Sequence, residues 1–192
     1  MPFNKGITQS GVTAGGHVAG GNVNHTETHI HAAIPPSQIL VDLFNNYDNE
    51  DELTQSHDTI IEQLSEYIKY DEVEDALRDL KQKLHEGGRL AFEKEALWLK
   101  DSFRRRIEKY RHSPSAQKIF AYLLAAVRVH FQNNIYYEID GYSDAELGRA
   151  LLNDVVQPTL QQIPASEPLI TQDTLLGMVY FLTGNCFLEW SK

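Results

Sequence analysis

Residues 89–112 read RLAFEKEALWLKDSFRRRIEKYRH, and this stretch decides the fold. Phe92, Ala96, Leu99, Phe103, Ile107 and Tyr110 recur at spacings of three and four. An α-helix turns once in about 3.6 residues, so these six side chains fall on one stripe, whereas a strand would need strict alternation. The stretch therefore predicts a long amphipathic helix with a sustained packing seam. A seam of that length needs partners of the same kind, which points to a mainly α fold.

Working outward toward the C-terminus, Ser113-Pro114 reads as an N-cap followed by a first-turn proline. It opens a helix through Ile119, Leu123, Val127 and Phe131. Ile135-Tyr136-Tyr137-Glu138-Ile139 is aromatic and β-branched, so an extended segment is expected there. Ser143 and Glu146 have capping-box spacing and start a helix carrying Leu147, Leu151 and Val155, expected to break at Pro158. Pro164 and Pro168 bracket a loop. A last apolar helix is expected from Thr174 to Leu182, stopped by Gly184. The tail from Cys186 to Trp190 reads as a short strand or a docked extended end.

Toward the N-terminus, Gly87-Gly88 closes a helix whose stripe is Val73, Leu77, Leu80 and Leu84, with Asp71 as its cap. A helix from about His57 to Tyr70 points Ile60, Ile61, Leu64, Tyr67 and Ile68 inward. Ser37 caps a short one with Leu40, Leu43, Phe44 and Tyr47. The helical domain thus occupies residues 36–192, as antiparallel helices joined by short loops.

Residues 1–35 are of another kind. Half of the 12 glycines lie between Gly6 and Gly21, among Thr, Ser, Asn and His. The apolar residues Phe3, Ile7, Val12, Val18, Val23 and Ile30 stand isolated between glycine-rich turns. Such an arm buries too little surface to offset an ordering cost of roughly 1–2 kcal/mol per residue. It is expected to be flexible alone, or to form β structure by pairing with copies or partners. Val12, Val18, Val23 and Ile30 are its candidate contact residues.

Composition sets further bounds. With 192 residues and 42% hydrophobic content, the chain has enough apolar surface for one medium domain plus an extension. No run approaches the roughly 18–20 apolar residues that span a bilayer, and the opening MPFNKG lacks the apolar core of a secretory signal. One cysteine, Cys186, excludes an intrachain disulfide and fits a reducing cytoplasm. It sits in an apolar run and reads as a small buried hydrophobe rather than a nucleophile. A net charge of -10 disfavours a surface that coats nucleic acid.

Four features have the residue types of a site. His25, Glu27, His29 and His31 alternate, so a strand projects all four to one face, where they are candidate ligands for zinc or nickel. Alternate side chains of a strand stand about 6.5–7 Å apart, which rarely closes a tetrahedron from a single segment. A polar strand face, or a histidine ladder between chains that titrates near pH 6.5, competes with that reading. Arg104, Arg105 and Arg106, with Lys109 and Arg111, form a basic cluster beside Asp101 and Glu108. A solvated, salt-bridged helix face accounts for it best, with a partner-protein contact or a nucleic-acid site as alternatives. The glycines at 16–21 lack the preceding strand and following helix that a dinucleotide loop requires. His57, His85, His112 and His130 are dispersed, and no Gly-x-Ser-x-Gly elbow occurs. No catalytic residue and no cofactor are expected.

Three stretches resemble one known family. They are SGVTAGGHVAGGNV at 10–23, SAQKIFAYLL at 115–124 and LGMVYFLTGNCFLEW at 176–190. All three are similar to the linker and C-terminal domain of ABC-three-component conflict systems. The resemblance implies a domain that connects a variable effector, such as a nuclease or protease, to a middle component and to an ABC/SMC-like ATPase that senses invading DNA. No effector precedes the arm in this sequence, so either a free-standing adaptor or inhibitor, or a domain that recruits an effector in trans, is expected. Residues of the family's ATPases and effectors have no counterparts here. The expected protein is a non-enzymatic adaptor of a bacterial antiviral system, cytoplasmic, without membrane or direct nucleic-acid contact, and self-associating through its arm. A helical nucleic-acid binder using Arg104–Arg106 and a metal-responsive regulator using His25–His31 are the alternatives.

Overall fold

The 89–112 stretch folds as a 3-10 turn, Leu90–Phe92, that runs into helix α4, Glu93–Lys109, with Ala96, Leu99, Phe103 and Ile107 buried. The structure, a computed structural model, describes residues 36–50, 60–68, 79–165 and 167–192, all within one unit spanning 33–192. Before α4 come α1 (Gln38–Asp48), α2 (Glu62–Ile68) and α3 (Leu80–Glu86). After it come α5 (Pro114–Asn134), a 3-10 stretch (Tyr136–Gly141) and α6 (Asp144–Ala150). A π-helical stretch (Leu151–Val156), α7 (Gln157–Leu160) and α8 (Gln172–Gly184) complete it. The described residues contain no strand.

The seam of α4 packs on α8, which also touches α3 and α5, while α1 and α2 lie against α5. Buried residues run almost unbroken along α8, from Thr174 to Thr183, so this helix is apolar on every side and sits in the middle. Gly177 sets how closely α4 and α8 approach. A Cβ there would stand 2.7 Å from the Leu99 carbonyl oxygen and 2.9 Å from the Phe103 Cβ. Phe103 in turn meets Phe120 of α5 and Phe181 of α8 edge to face, at 5.8 and 5.3 Å between centroids.

The caps largely follow the sequence, except at α1, where Ser37 holds the N-cap position but its hydroxyl makes no cap bond and meets Tyr122 instead. Ser113 accepts the Ala116 N–H at 3.1 Å with Pro114 in the first turn of α5. Ser143 and Glu146 form the expected capping box. Thr171 accepts the Thr174 N–H at 3.3 Å, which starts α8 two residues before the expected position. For α3 the cap is Asp79, which accepts the Gln82 N–H at 2.7 Å. Asp71, Val73 and Leu77 lie outside the described residues.

Four local expectations are corrected. Ile135–Ile139 runs into a 3-10 helix from Tyr136 rather than an extended segment: a strand would put Tyr137 on the same face as Ile135 and Ile139, yet both isoleucines are fully buried and Tyr137 is 63% exposed. Pro158 does not break the chain's helical course. Its missing N–H would have bonded the carbonyl of Asp154, and the Asn134 side-chain amide donates to that carbonyl instead, at 3.0 Å. Gly184 does not supply the turn that ends α8. That turn has Cys186 at φ 62°, with the Phe187 N–H on the Leu182 carbonyl at 2.9 Å and the Cys186 N–H on the Thr183 carbonyl at 3.2 Å. This is a Schellman motif with cysteine in the left-handed place glycine usually takes. Cys186 is half-buried there, not enclosed as its apolar neighbours suggest. The end of α3 is the glycine version, with Gly88 at φ 69° and the Arg89 N–H on the Leu84 carbonyl at 2.7 Å.

The tail is docked rather than paired as a strand. Trp190 is 1% exposed among Phe92, Phe131 and Tyr180, stacked on Tyr180 at 5.9 Å and 9°. Its indole N–H donates to Thr183 Oγ1 at 2.8 Å. Lys83, 1% exposed, donates to the Leu188 carbonyl at 3.2 Å and pairs with Glu189 at 3.1 Å. Just beyond the Gly87-Gly88 turn, Arg89 bonds the carbonyls of Tyr142 (2.8 Å) and Ile139 (2.5 Å) and pairs with Asp144 at 3.1 Å. Both cations are buried and each meets a carboxylate and at least one backbone carbonyl, as burial of charge requires, although the Arg89 Nε–H has no partner.

Candidate interaction surface

The longest helix, α5, has more apolar residues than the core can use. Its inward side carries Ile119, Phe120, Leu123, Leu124, Val127 and Phe131, all buried. Tyr122, Ala125, Ala126 and Val129 then follow one another at i, i+3, i+4 and i+7. They form a second apolar stripe. Tyr122 and Ala126 are half-buried, Ala125 is exposed, and Val129 is 56% exposed. An α5 that faced the core on one side alone would carry polar residues at these places.

A groove lies over this stripe. On one side a hollow of about 420 Å³ is bounded by Leu43 of α1, Tyr67 of α2, and Tyr122 and Ala125 of α5. A second, of about 360 Å³, continues past Tyr67 to Arg128 and Val129. A third, of about 320 Å³, flanks the stripe at Ala126, His130 and Gln162. Ala125 lines all three.

Polar tethers hold the walls in place. Gln117, buried in α5, accepts the Ile61 N–H at 2.7 Å just before α2 and donates to the Arg111 carbonyl at 2.5 Å. At its other end α2 is held by Asn185, whose side-chain amide donates to the Tyr67 carbonyl at 2.7 Å. The Tyr67 ring packs on Phe187 at 5.0 Å. Ser37, before α1, meets the Tyr122 hydroxyl at 3.2 Å and donates its N–H to the Gln162 carbonyl at 2.9 Å. The groove is therefore preformed, and a ligand would spend little energy ordering it.

His130, at the edge of the groove, is 3.4 Å from the Gln162 side-chain amide. Burial lowers its pKa below that of a free imidazole. The unfolded chain therefore takes up this proton first as pH falls. Stability from a neutral His130 is full above the ordinary histidine pKa and declines as pH drops below it, until the folded form is also protonated. We expect His130→Gln to melt with a smaller loss between pH 7.5 and pH 5 than the parent chain. Identical pH profiles from differential scanning calorimetry would contradict that.

The residues singled out from the sequence lie elsewhere. His25, Glu27, His29 and His31, with Val12, Val18, Val23 and Ile30, fall outside the described residues. Among those described, no three His, Cys, Asp or Glu side chains are grouped to hold a metal ion. Arg104, Arg105 and Arg106 are not brought together. Arg105 is exposed and pairs with Asp101 at 2.7 Å. Arg106 donates to the Leu169 carbonyl and so ties α4 to the loop before α8. Arg104 borders a separate hollow with Ile60, Ile68 and Phe181. Arg111 pairs with Glu108 at 2.8 Å. The stripe on α5 was missed because its inward partners explain the helix on their own. The signal was present in LLAAVRV, residues 123–129, where apolar residues occur at too many positions for one face.

Residues 79–190 match the family model for C-terminal domain 9 of the ABC-three component (ABC-3C) systems. The match runs from Asp79, the cap of α3, to the docked Trp190, and α1 and α2 precede it. No curated protein and no solved structure matches the chain.

Proposed function

We propose, from the premise that the chain belongs to the C-terminal domain 9 family of ABC-three-component systems, that its helical domain is an adaptor that docks another component of its own system on the outer stripe of α5. Membership of a multi-component system makes partners from the same system the natural candidates. The observation that carries the reading is the stripe of Tyr122, Ala125, Ala126 and Val129, half-buried at Tyr122 and Ala126 and exposed at Ala125 and Val129, set in a groove whose walls are already tied down. In this reading the domain binds and does not catalyse. Self-association through residues 1–35 is a part of the proposal that rests on sequence pattern alone.

Among the described residues, no helix is long and apolar enough to cross a membrane. The stripe is read as a protein contact because it has apolar residues at its centre and polar ones at its rim, as in other interfaces. The test is co-purification with the ATPase and middle component of the same system. Ala125→Glu with Val129→Glu places two charges on the stripe at positions that face outward, so folding should be unaffected. The double variant should lose at least about tenfold in recovered complex, equivalent to some 1.4 kcal/mol, at an unchanged melting temperature. Undiminished recovery would remove α5 as the docking face.

A further inference from the structure

We infer that the groove over α5 takes an acidic amphipathic helix of a partner protein, an inference that rests on the docking reading above. The first argument is shape. Four apolar side chains at i, i+3, i+4 and i+7 repeat over two turns, which matches the period a second helix presents in return. Pairing by strand addition needs a sheet edge, and the described residues contain no strand. A proline-rich segment needs free aromatic faces. Here the Tyr67 ring lies on Phe187 at 5.0 Å, and the Tyr122 hydroxyl is engaged by Ser37 at 3.2 Å.

The second argument is charge. The charged side chains lining the three hollows are Lys118, Arg128 and Glu66, two cations to one carboxylate. His130 adds no charge at neutral pH, since burial holds its pKa below the ordinary value. Lys118 and Arg128 both project from α5, so they border the same stripe. Arg128 is steadied by the Phe187 ring, 5.6 Å from its guanidinium carbon. The chain as a whole carries a net charge of -10. A locally positive groove on so acidic a protein selects for an acidic ligand at short range.

The test uses the full chain and three fluorescent synthetic peptides. One is an amphipathic helix with Leu and Ala on one face and Glu elsewhere. The second replaces each Glu by Lys. The third keeps the acidic composition but scrambles the apolar positions. By fluorescence anisotropy, the acidic amphipathic peptide should bind at least about tenfold more tightly than either of the others. Lys118→Glu with Arg128→Glu should invert the preference toward the basic peptide, and Val129→Glu should abolish binding of both.

Equal binding of acidic and basic peptides, or of the scrambled one, would overturn the inference, as would no binding at all. The docking reading has its own fate, decided by co-purification with the Ala125→Glu, Val129→Glu variant. If that variant loses the complex while no acidic helix binds, the inference alone falls. If it keeps the complex, the docking reading falls with it.

Discussion

Trp190→Ala should lower the melting temperature by roughly 10 °C. Removing a buried tryptophan costs about 3–5 kcal/mol, and 1 kcal/mol moves the midpoint of a domain this size by about 2–4 °C. The site has little means to collapse. Phe92, Phe131 and Tyr180 surround the indole at 6.1, 5.7 and 5.9 Å, each held by its own helix or turn. Gly87 was left without a side chain to admit this residue, since a Cβ there would lie 2.9 Å from the Trp190 Cβ. Truncation also removes the donor to Thr183, whose hydroxyl keeps its bond to the Val179 carbonyl at 2.9 Å. Trp190→Phe should recover part of the loss. A midpoint for the alanine variant within about 2 °C of the parent would show that the tail is not part of the core.

The second large effect is expected at Gly177, and its sign separates two arguments. Helix propensity alone favours alanine over glycine by about 1 kcal/mol. Steric contact opposes it, because the new Cβ would stand 2.7 Å from the Leu99 carbonyl oxygen and 2.9 Å from Phe103 Cβ. Neither atom is the far end of a flexible side chain, so α4 and α8 must separate. Overpacking costs typically 1–3 kcal/mol and sometimes more. We expect Gly177→Ala to destabilise by about 2 kcal/mol, and Gly177→Val by about 3 kcal/mol or more. Urea denaturation gives both values directly. A stabilised alanine variant would mean that the α4–α8 contact is looser than described.

Much of this fold is legible in the sequence. The seam from Phe92 to Ile107 identified α4 because nothing competes with a three-and-four spacing sustained over that length. Ser113-Pro114 and Ser143-Asp144-Ala145-Glu146 identified two helix starts because capping is a local exchange of hydrogen bonds. Features settled by distant residues were read wrongly. At Pro158 the outcome depended on Asn134, 20 residues from Asp154, filling that residue's carbonyl acceptor. At Ile135–Ile139, β propensity lost to a burial pattern that turns Tyr137 away from the two isoleucines, which strict alternation cannot do.

The candidate site shows the same division. Arg104, Arg105 and Arg106 attract notice as a run, yet successive residues of a helix point about 100° apart, so a run is the arrangement least suited to converge on one ligand. The exposed stripe on α5 is the converse. Its members are spread over eight residues, each unremarkable as a core residue, and only the placement of α1, α2 and α8 reveals which of the apolar sides is left over.

The corner at Gly87-Gly88 bears on how the domain would respond to a load. Lys83 and Arg89, on either side of it, hold backbone carbonyls of two segments remote in sequence, Leu188 in one and Ile139 with Tyr142 in the other. Peeling off either segment breaks an ion pair and at least one carbonyl bond to a buried cation together, so each segment is expected to come away in one step. The tail and the start of α6 are thus anchored to one corner of the chain, so a pull on the tail is met first at Lys83 of α3.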